Sequence, residues 1–250
     1  MSADLAGRVA IVTGAARNIG RAIAIDLARG GASVTINALN SAGEAAAVAR
    51  AIEDIGGRAL VQLADISDPA GARQLIDATA QHFGRIDILV NNAAIRRETR
   101  FDELDWKEWR AVCGVTLDGA YLCAHAALPH LRKSDRAAIV NIGGMSAYSG
   151  SAGRAHVVAA KAGLAGLTRA LAHDLSADGI TVNCVAPGLV DTARGRSAGG
   201  TPAHHALHRT LLGRRGEPQD IAAVVTFLCG PGARYITGQT LHANGGAYLC

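Results

Sequence analysis

The residues with the clearest capacity for chemistry lie in the segment 9–24, VAIVTGAARNIGRAIA. Val9–Val12 is a short apolar run that reads as a buried strand, a glycine turn follows at Gly14, and a helical pattern opens near Ile19. A strand that turns tightly into a helix leaves N–H groups at the helix start with no partner inside the helix. Those donors, with the positive end of the helix dipole, suit a pyrophosphate. Gly14 permits the tight turn, and Gly20 permits close approach of helix to strand or ligand. One glycine-rich turn is a weak signal alone. Here it sits between a first strand and a first helix, with a second apolar run at Ser33–Ala38. A second cluster, His204, His205 and His208, invites a metal check. His205 and His208 are one helical turn apart, a spacing zinc can use. No nearby Cys, Asp or Glu completes a set, so no metal site is expected.

Positioning such a turn requires a large domain, and 250 residues suffice for one. The chain is 49% hydrophobic but only 4% aromatic, so its core is built from Ala, Val, Leu and Ile. That is the usual makeup of a parallel sheet covered by helices. The net charge of +4 comes from dispersed arginines without a basic run, which argues against nucleic acid as a partner. Five scattered cysteines without a CxxC pair point to a reduced, cytoplasmic protein. No charged-then-apolar leader and no apolar run of eighteen or more is seen, so neither secretion nor membrane association is expected.

Taken in order, strands are expected at Val9–Val12, Ser33–Ala38, Ala59–Leu63, 86–90, Ala138–Ile142, 181–185 and Thr240–Ala243. Helices are expected at 20–29, 42–55, Pro69–Phe83, Trp106–Leu131 (as one extended helix), 154–175 and 218–228. This alternation implies an α/β fold: a Rossmann-type, doubly wound parallel sheet in a single domain spanning 1–250, with right-handed crossovers. Ligands of such sheets bind beyond the carboxyl ends of the strands. TGAARNIG, ADISD, NNAA, NIGG and APG all fall at strand ends and therefore converge on one crevice. The polar, Gly- and His-rich segment 191–215 is left outside this pattern.

These motifs, in this order and spacing, resemble the short-chain dehydrogenase/reductase family over nearly the whole chain. The resemblance rests on TGAARNIG at 13–20, ADISD at 64–68, NNAA at 91–94, NIGG at 141–144, KAG at 161–163, VNCVAPG at 182–188 and NGG at 244–246. It implies a dinucleotide held by Gly14, Arg17, Asn18, Ile19, Gly20, Asp65, Ile66, Asn91, Ala93, Lys161, Pro187, Gly188 and Thr192, under a substrate lid at about 189–215. Asn18 stands where the family usually has glycine, and Asn tolerates positive φ better than other side chains. An acidic residue after strand two would bind an adenosine ribose and repel a 2′-phosphate. Ala38, Leu39, Asn40 and Ser41 occupy that stretch instead, and Arg17 stands in the glycine loop. Arg suits phosphate through its planar fork of donors. NADP is therefore expected, with NAD the alternative.

The family pattern breaks at its chemistry. The family usually has a Tyr four residues before the active-site Lys, so that both share one helix face. Lys161 is present, but Val157 takes the tyrosine position, Gly144 that of the family's Ser, and Thr116 that of its Asn. Substitutes for the proton donor are His156, Ser146 and Tyr148. An imidazole works near neutral pH, although five residues from Lys161 it points roughly 140° away on an ideal helix. His156 could equally cap the helix start, Ser146 serve a turn and Tyr148 pack at a loop rim. Lys161 keeps a use without Tyr, by hydrogen bonding to nicotinamide ribose hydroxyls.

Two functions follow. One is an NADP-dependent oxidoreductase interconverting a carbonyl and an alcohol with an atypical proton donor. The other is a non-catalytic, cofactor-binding subunit that pairs with an active homologous dehydrogenase. The resemblance also implies a homo-oligomer, tetramer or dimer, formed through the two long helices.

Overall fold

The computed structural model describes residues 4–192 and 210–249. His204, His205, His208 and most of the expected lid lie outside them.

β1 (Val9–Val12) is buried at all four positions, as expected of a strand covered on both faces. The chain leaves it through Gly14 at φ +61° and enters α1 (Asn18–Arg29) through Asn18 at φ +52°. Asn18 is the one non-glycine residue at positive φ among the described residues, the tolerance expected of Asn. β2 (Ser33–Ala38), α2 (Ala42–Glu53), β3 (Ala59–Leu63) and α3 (Pro69–Phe83) complete the first half. Asp68 caps α3 by accepting from the Gly71 N–H at 3.0 Å, and Pro69 sits in the first turn, where its missing N–H costs nothing.

The second half runs through β4 (Ile88–Asn91), α4 (Trp106–Cys113), a π-helical turn (Gly114–Asp118), α5 (Gly119–Leu131), β5 (Ala138–Ile142), α6 (Ser146–Ser149), α7 (Ala155–Asp174), β6 (Thr181–Pro187), α8 (Pro218–Cys229) and β7 (Thr240–Ala243). The seven strands form one parallel sheet in the order β3-β2-β1-β4-β5-β6-β7. β1 lies between β2 (Val12 opposite Ile36) and β4 (Val12 opposite Val90). The strand order reverses at β1 and β4, and connections leave in opposite directions there, which opens a crevice.

Each face of the sheet carries its own core. Ile23 and Leu27 of α1, Val48 and Ile52 of α2, and Val225 and Leu228 of α8 cover one side. Leu75 and Ile76 of α3 and Cys123, Ala127 and Leu131 of α5 cover the other. Of the two cores' buried members none is aromatic, in keeping with the composition.

Two expectations need correction. The fourth strand starts at Ile88, not at residue 86, because Asp87 is a buried anchor. Its carboxylate accepts from Arg85 at 2.6 and 2.8 Å, Ser134 Oγ at 2.6 Å and the Val9 N–H at 2.9 Å. The extended helix expected at Trp106–Leu131 is present over those residues, with a π-helical turn at Gly114–Asp118 inside it. By length and composition that stretch could cross a membrane, yet Val112, Cys123, Ala127 and Leu131 are fully buried in the fold. The loop expected after strand five contains the helical turn α6.

Candidate functional site

The glycine turn is pinned from the neighbouring strand ends. Thr13 Oγ1 accepts from the N–H groups of Asn92 at 3.0 Å and Ala93 at 3.1 Å. Asn92 Nδ2 donates to the carbonyls of Thr13 at 2.9 Å and Gly14 at 3.0 Å. The Gly14 N–H donates to Asn37 Oδ1 at 3.3 Å. No side chain fits at the two key glycines: a Cβ on Gly14 would lie 2.9 Å from Ala93 Cα, and one on Gly20 would lie 2.5 Å from the Gly14 carbonyl oxygen. The turn is thus a backbone surface held open by Thr13, Asn37 and Asn92. None of these three was singled out from the sequence, although all stand at strand ends.

The turn opens onto a cleft of about 700 Å³ beyond the carboxyl ends of the strands. Of the expected nucleotide residues, Gly14, Arg17, Asn18, Ile19, Gly20, Asp65, Ile66, Ala93, Lys161, Pro187, Gly188 and Thr192 line it. Asn91 does not. It is buried and donates to Asn141 Oδ1 at 2.9 Å, and Asn141 Nδ2 donates to Thr168 Oγ1 of α7 at 2.9 Å. This chain of amides ties β4 and β5 to the helix that carries Lys161. At one end of the cleft Arg17 stands with Ala38, Leu39, Asn40 and Ser41. Arg17 Nε is 3.6 Å from Glu44 Oε2, and both side chains are about half exposed, so the pair holds Arg17 only weakly.

At the other end stand Lys161, Val157, Gly144 and Ser146. Lys161 is buried, and its ammonium donates to the Ile142 carbonyl. Burial, then repulsion from Arg96, brings its pKa down to about 7; Cys184 opposes this, and Arg154 adds a smaller lowering.

The remaining proton-donor candidates lie elsewhere. His156 is fully buried and faces α4, where Nε2 lies 3.1 Å from Glu108 Oε1. That is the outcome of the helical angle separating it from Lys161. Tyr148 donates from its hydroxyl to Thr240 Oγ1 at 3.0 Å and packs edge-on against His242, with ring centres 4.6 Å apart. Thr116 is buried in the π turn, away from the cleft lining, with Oγ1 lacking a partner among the described residues. Three residues not singled out from the sequence also line the cleft, namely Arg96, Ser151 and Arg154. They lie on loops, where periodicity carries no signal.

Comparison with known proteins agrees with this geometry. A family model described as Enoyl-(Acyl carrier protein) reductase matches residues 14–248. The chain is 39% identical over 246 residues to the 3-oxoacyl-(acyl-carrier-protein) reductase of Synechocystis, covering 98% of each chain. It is 38% identical over 244 residues to the enzyme of that name from Escherichia coli, covering 97% of this chain and 98% of the other. A short-chain dehydrogenase from Burkholderia cenocepacia, solved in complex with NADP, superposes with a TM-score of 0.91 at 40% identity, covering 98% and 99% of the two chains. A blue fluorescent protein from a metagenomic library, solved in complex with NADPH, superposes with a TM-score of 0.90 at 35% identity, covering 98% and 100%. With its parallel sheet, pinned glycine turn and buried lysine at the cleft, the chain belongs to the short-chain dehydrogenase/reductase family.

Proposed function

We propose that this protein is an NADP(H)-dependent oxidoreductase that interconverts a carbonyl and an alcohol, and that Lys161 is its proton-carrying group. The observation that carries the reading is the joint lining of one cleft by the glycine turn and by Lys161. Gly14 and Gly20, where a Cβ would strike Ala93 and the Gly14 carbonyl, let α1 start close against the strand ends, and its first residues Asn18 and Ile19 line the cleft, so the residues present fit a dinucleotide. Arg17, Asn40 and Ser41 would take a 2′-phosphate, and Asp65 and Ile66 the adenine end. Relatives solved with NADP and NADPH support the same cofactor. When bound, the nicotinamide supplies or accepts hydride.

Val157 has no proton to give, whereas an amine poised near 7 exchanges one readily. In reduction Lys161 would release a proton from Nζ to the substrate oxygen; in oxidation the neutral amine would take one up. The Ile142 carbonyl steadies the ammonium between these events. Four buried, unpaired cysteines suit a reducing cytoplasm. A single domain with a lid over about 189–215 is the arrangement we favour. Trp106, 72% exposed, and Tyr121, 50% exposed, on α4 and α5 support a homo-oligomer built on the long helices.

The test is NADPH oxidation over a panel of carbonyls, with NADPH binding followed separately by fluorescence. Lys161→Arg keeps the charge but cannot release a proton. It should lose about 10²-fold or more of turnover while still binding NADPH. Full activity in Lys161→Arg would refute the proton role. The second reading is a non-catalytic nucleotide-binding subunit, which Val157 in the lining favours. It would be established by tight NADPH binding with no turnover of any carbonyl.

A further inference from the structure

Near its carboxyl end β2 carries a buried amide. Asn37 is 2% exposed, between the apolar Ile36 and Ala38, and stands opposite Gln62 of β3. A buried amide must find partners, so where its two ends go is informative. Nδ2 donates to the carbonyls of Gln62 and Ala64, both at 3.2 Å. Oδ1 accepts from the Gly14 N–H at 3.3 Å. Carbonyls need a donor and an N–H needs an acceptor, so only this orientation satisfies all three. The Asn37 carbonyl also accepts from the Ala15 N–H at 2.8 Å. Residue 37 thus engages both N–H groups at the start of the glycine turn, while its amide holds the end of β3 on the other side.

The end of β3 leads into the second part of the same wall. The Ala64 N–H donates to the Ala38 carbonyl at 3.1 Å, and Ala64, Asp65 and Ile66 line the cleft with Asn37, Ala38 and Leu39. Asp65 is itself fixed, since Oδ1 accepts from the Ser67 N–H at 2.9 Å and Ser67 Oγ at 2.6 Å. α3 abuts this turn so closely that a Cβ on Gly71 would lie 2.1 Å from the Asp65 carbonyl oxygen.

We propose that Asn37 is a positioning residue that sets the spacing between the surface for a pyrophosphate and the surface for an adenine. This rests on the NADP(H) reading of the cleft. Two halves of one ligand reinforce each other only where their surfaces stand at the spacing the ligand carries. A single amide bonded to the ends of β1 and β3 fixes that spacing from beneath. The Gly14 and Ala15 N–H groups are engaged within the protein, so phosphate oxygens fall to the N–H groups of the first turn of α1, Ile19 and Gly20 among them.

The experiment follows NADPH and NADH by fluorescence titration, with ADP, adenosine and inorganic pyrophosphate as competitors. Asn37→Leu is similar in shape and removes all three side-chain bonds, and Asn37→Ser removes them with a smaller side chain. In both, NADPH, NADH and ADP should weaken by a common factor of about 10-fold or more, whereas adenosine and pyrophosphate, which each meet one surface, should change by less than about 2-fold. Loss of a 2′-phosphate contact would weaken NADPH alone. Amide exchange on the unaltered protein supplies a measurement that needs no variant to fold. Without ligand the Gly14 and Ala15 amides should already be protected, and NADPH should add protection at Ile19 and Gly20.

Unchanged NADPH binding in both variants overturns the inference. So does an equal loss for ADP and for its two separate parts, which would make Asn37 a prop for the fold alone. Gly14 and Ala15 amides that exchange freely until NADPH is added overturn it as well. An unaltered protein that binds none of NADPH, NADH and ADP removes the cofactor reading and the inference with it. Tight NADPH binding that ignores residue 37 removes the inference alone.

Discussion

Val157 and Lys161 stand four residues apart on α7, and both line the cleft. A residue one turn before the lysine therefore shares its outlook. Val157→Tyr should place a phenol beside the ammonium and raise carbonyl reduction by about 10²-fold, the usual contribution of a positioned general acid. Gly144→Ser should add to it, because the nearest atom to a Cβ there is Ser146 Oγ at 3.9 Å, an ordinary contact. Steady-state NADPH oxidation by the single and double variants checks both.

With Lys161 poised at about 7, the two directions of reaction should have opposite pH dependence. Reduction needs the ammonium, so its rate should fall as pH rises through about 7. Oxidation needs the free amine and should rise over the same interval. In Val157→Tyr the limb should move, because the phenol then carries the proton. Profiles of kcat in both directions, taken from pH 5.5 to 9, check this.

Arg17 decides between the two nicotinamide cofactors on this reading. Arg17→Ala should weaken NADPH binding by about 10- to 100-fold and leave NADH nearly unchanged. Glu44, 3.6 Å from the guanidinium, competes for it, so Glu44→Gln should tighten NADPH modestly. Fluorescence titration with each cofactor separates these outcomes.

Asp87 is the buried carboxylate most exposed to loss of its partners. Burial alone would raise its pKa, but hydrogen bonds from Arg85, Ser134 and the Val9 N–H outweigh that and hold it below the usual value of 3.8. A lowered folded-state pKa contributes stability that is complete above the unfolded value and lost as pH falls through the folded one. Asp87→Ala should therefore cost about 1–3 kcal/mol at neutral pH, since it leaves the buried Val9 N–H without its acceptor, while the half-exposed Arg85 keeps its contact with solvent. The difference from the unaltered protein should shrink below pH 4. Thermal unfolding at a series of pH values measures both.

The fold was legible in the sequence because alternating apolar runs and glycine turns carry a parallel sheet directly, and strand ends sort the motifs to one side. Strand four was misjudged at its start because Ile86 continues the apolar run, while Asp87 is held by groups distant in sequence. The cleft-lining role of Arg17, Asp65 and Lys161 could be reached by motif. His156 and Tyr148 could not be placed, because a side chain's direction depends on partners such as Glu108 and Thr240 that only the folded chain supplies. Arg96 and Arg154 escaped for a related reason: they are ordinary surface-type residues until two loops meet.

The Thr99 N–H donates to the Gly153 carbonyl at 2.8 Å, joining the strip after β4 to the turn before α7. It couples the two strips, since a shift of either one stretches that bond. Grafting residues 95–99 alone onto a relative would leave that bond without its acceptor. A paired exchange, with 150–154, would carry donor and acceptor together.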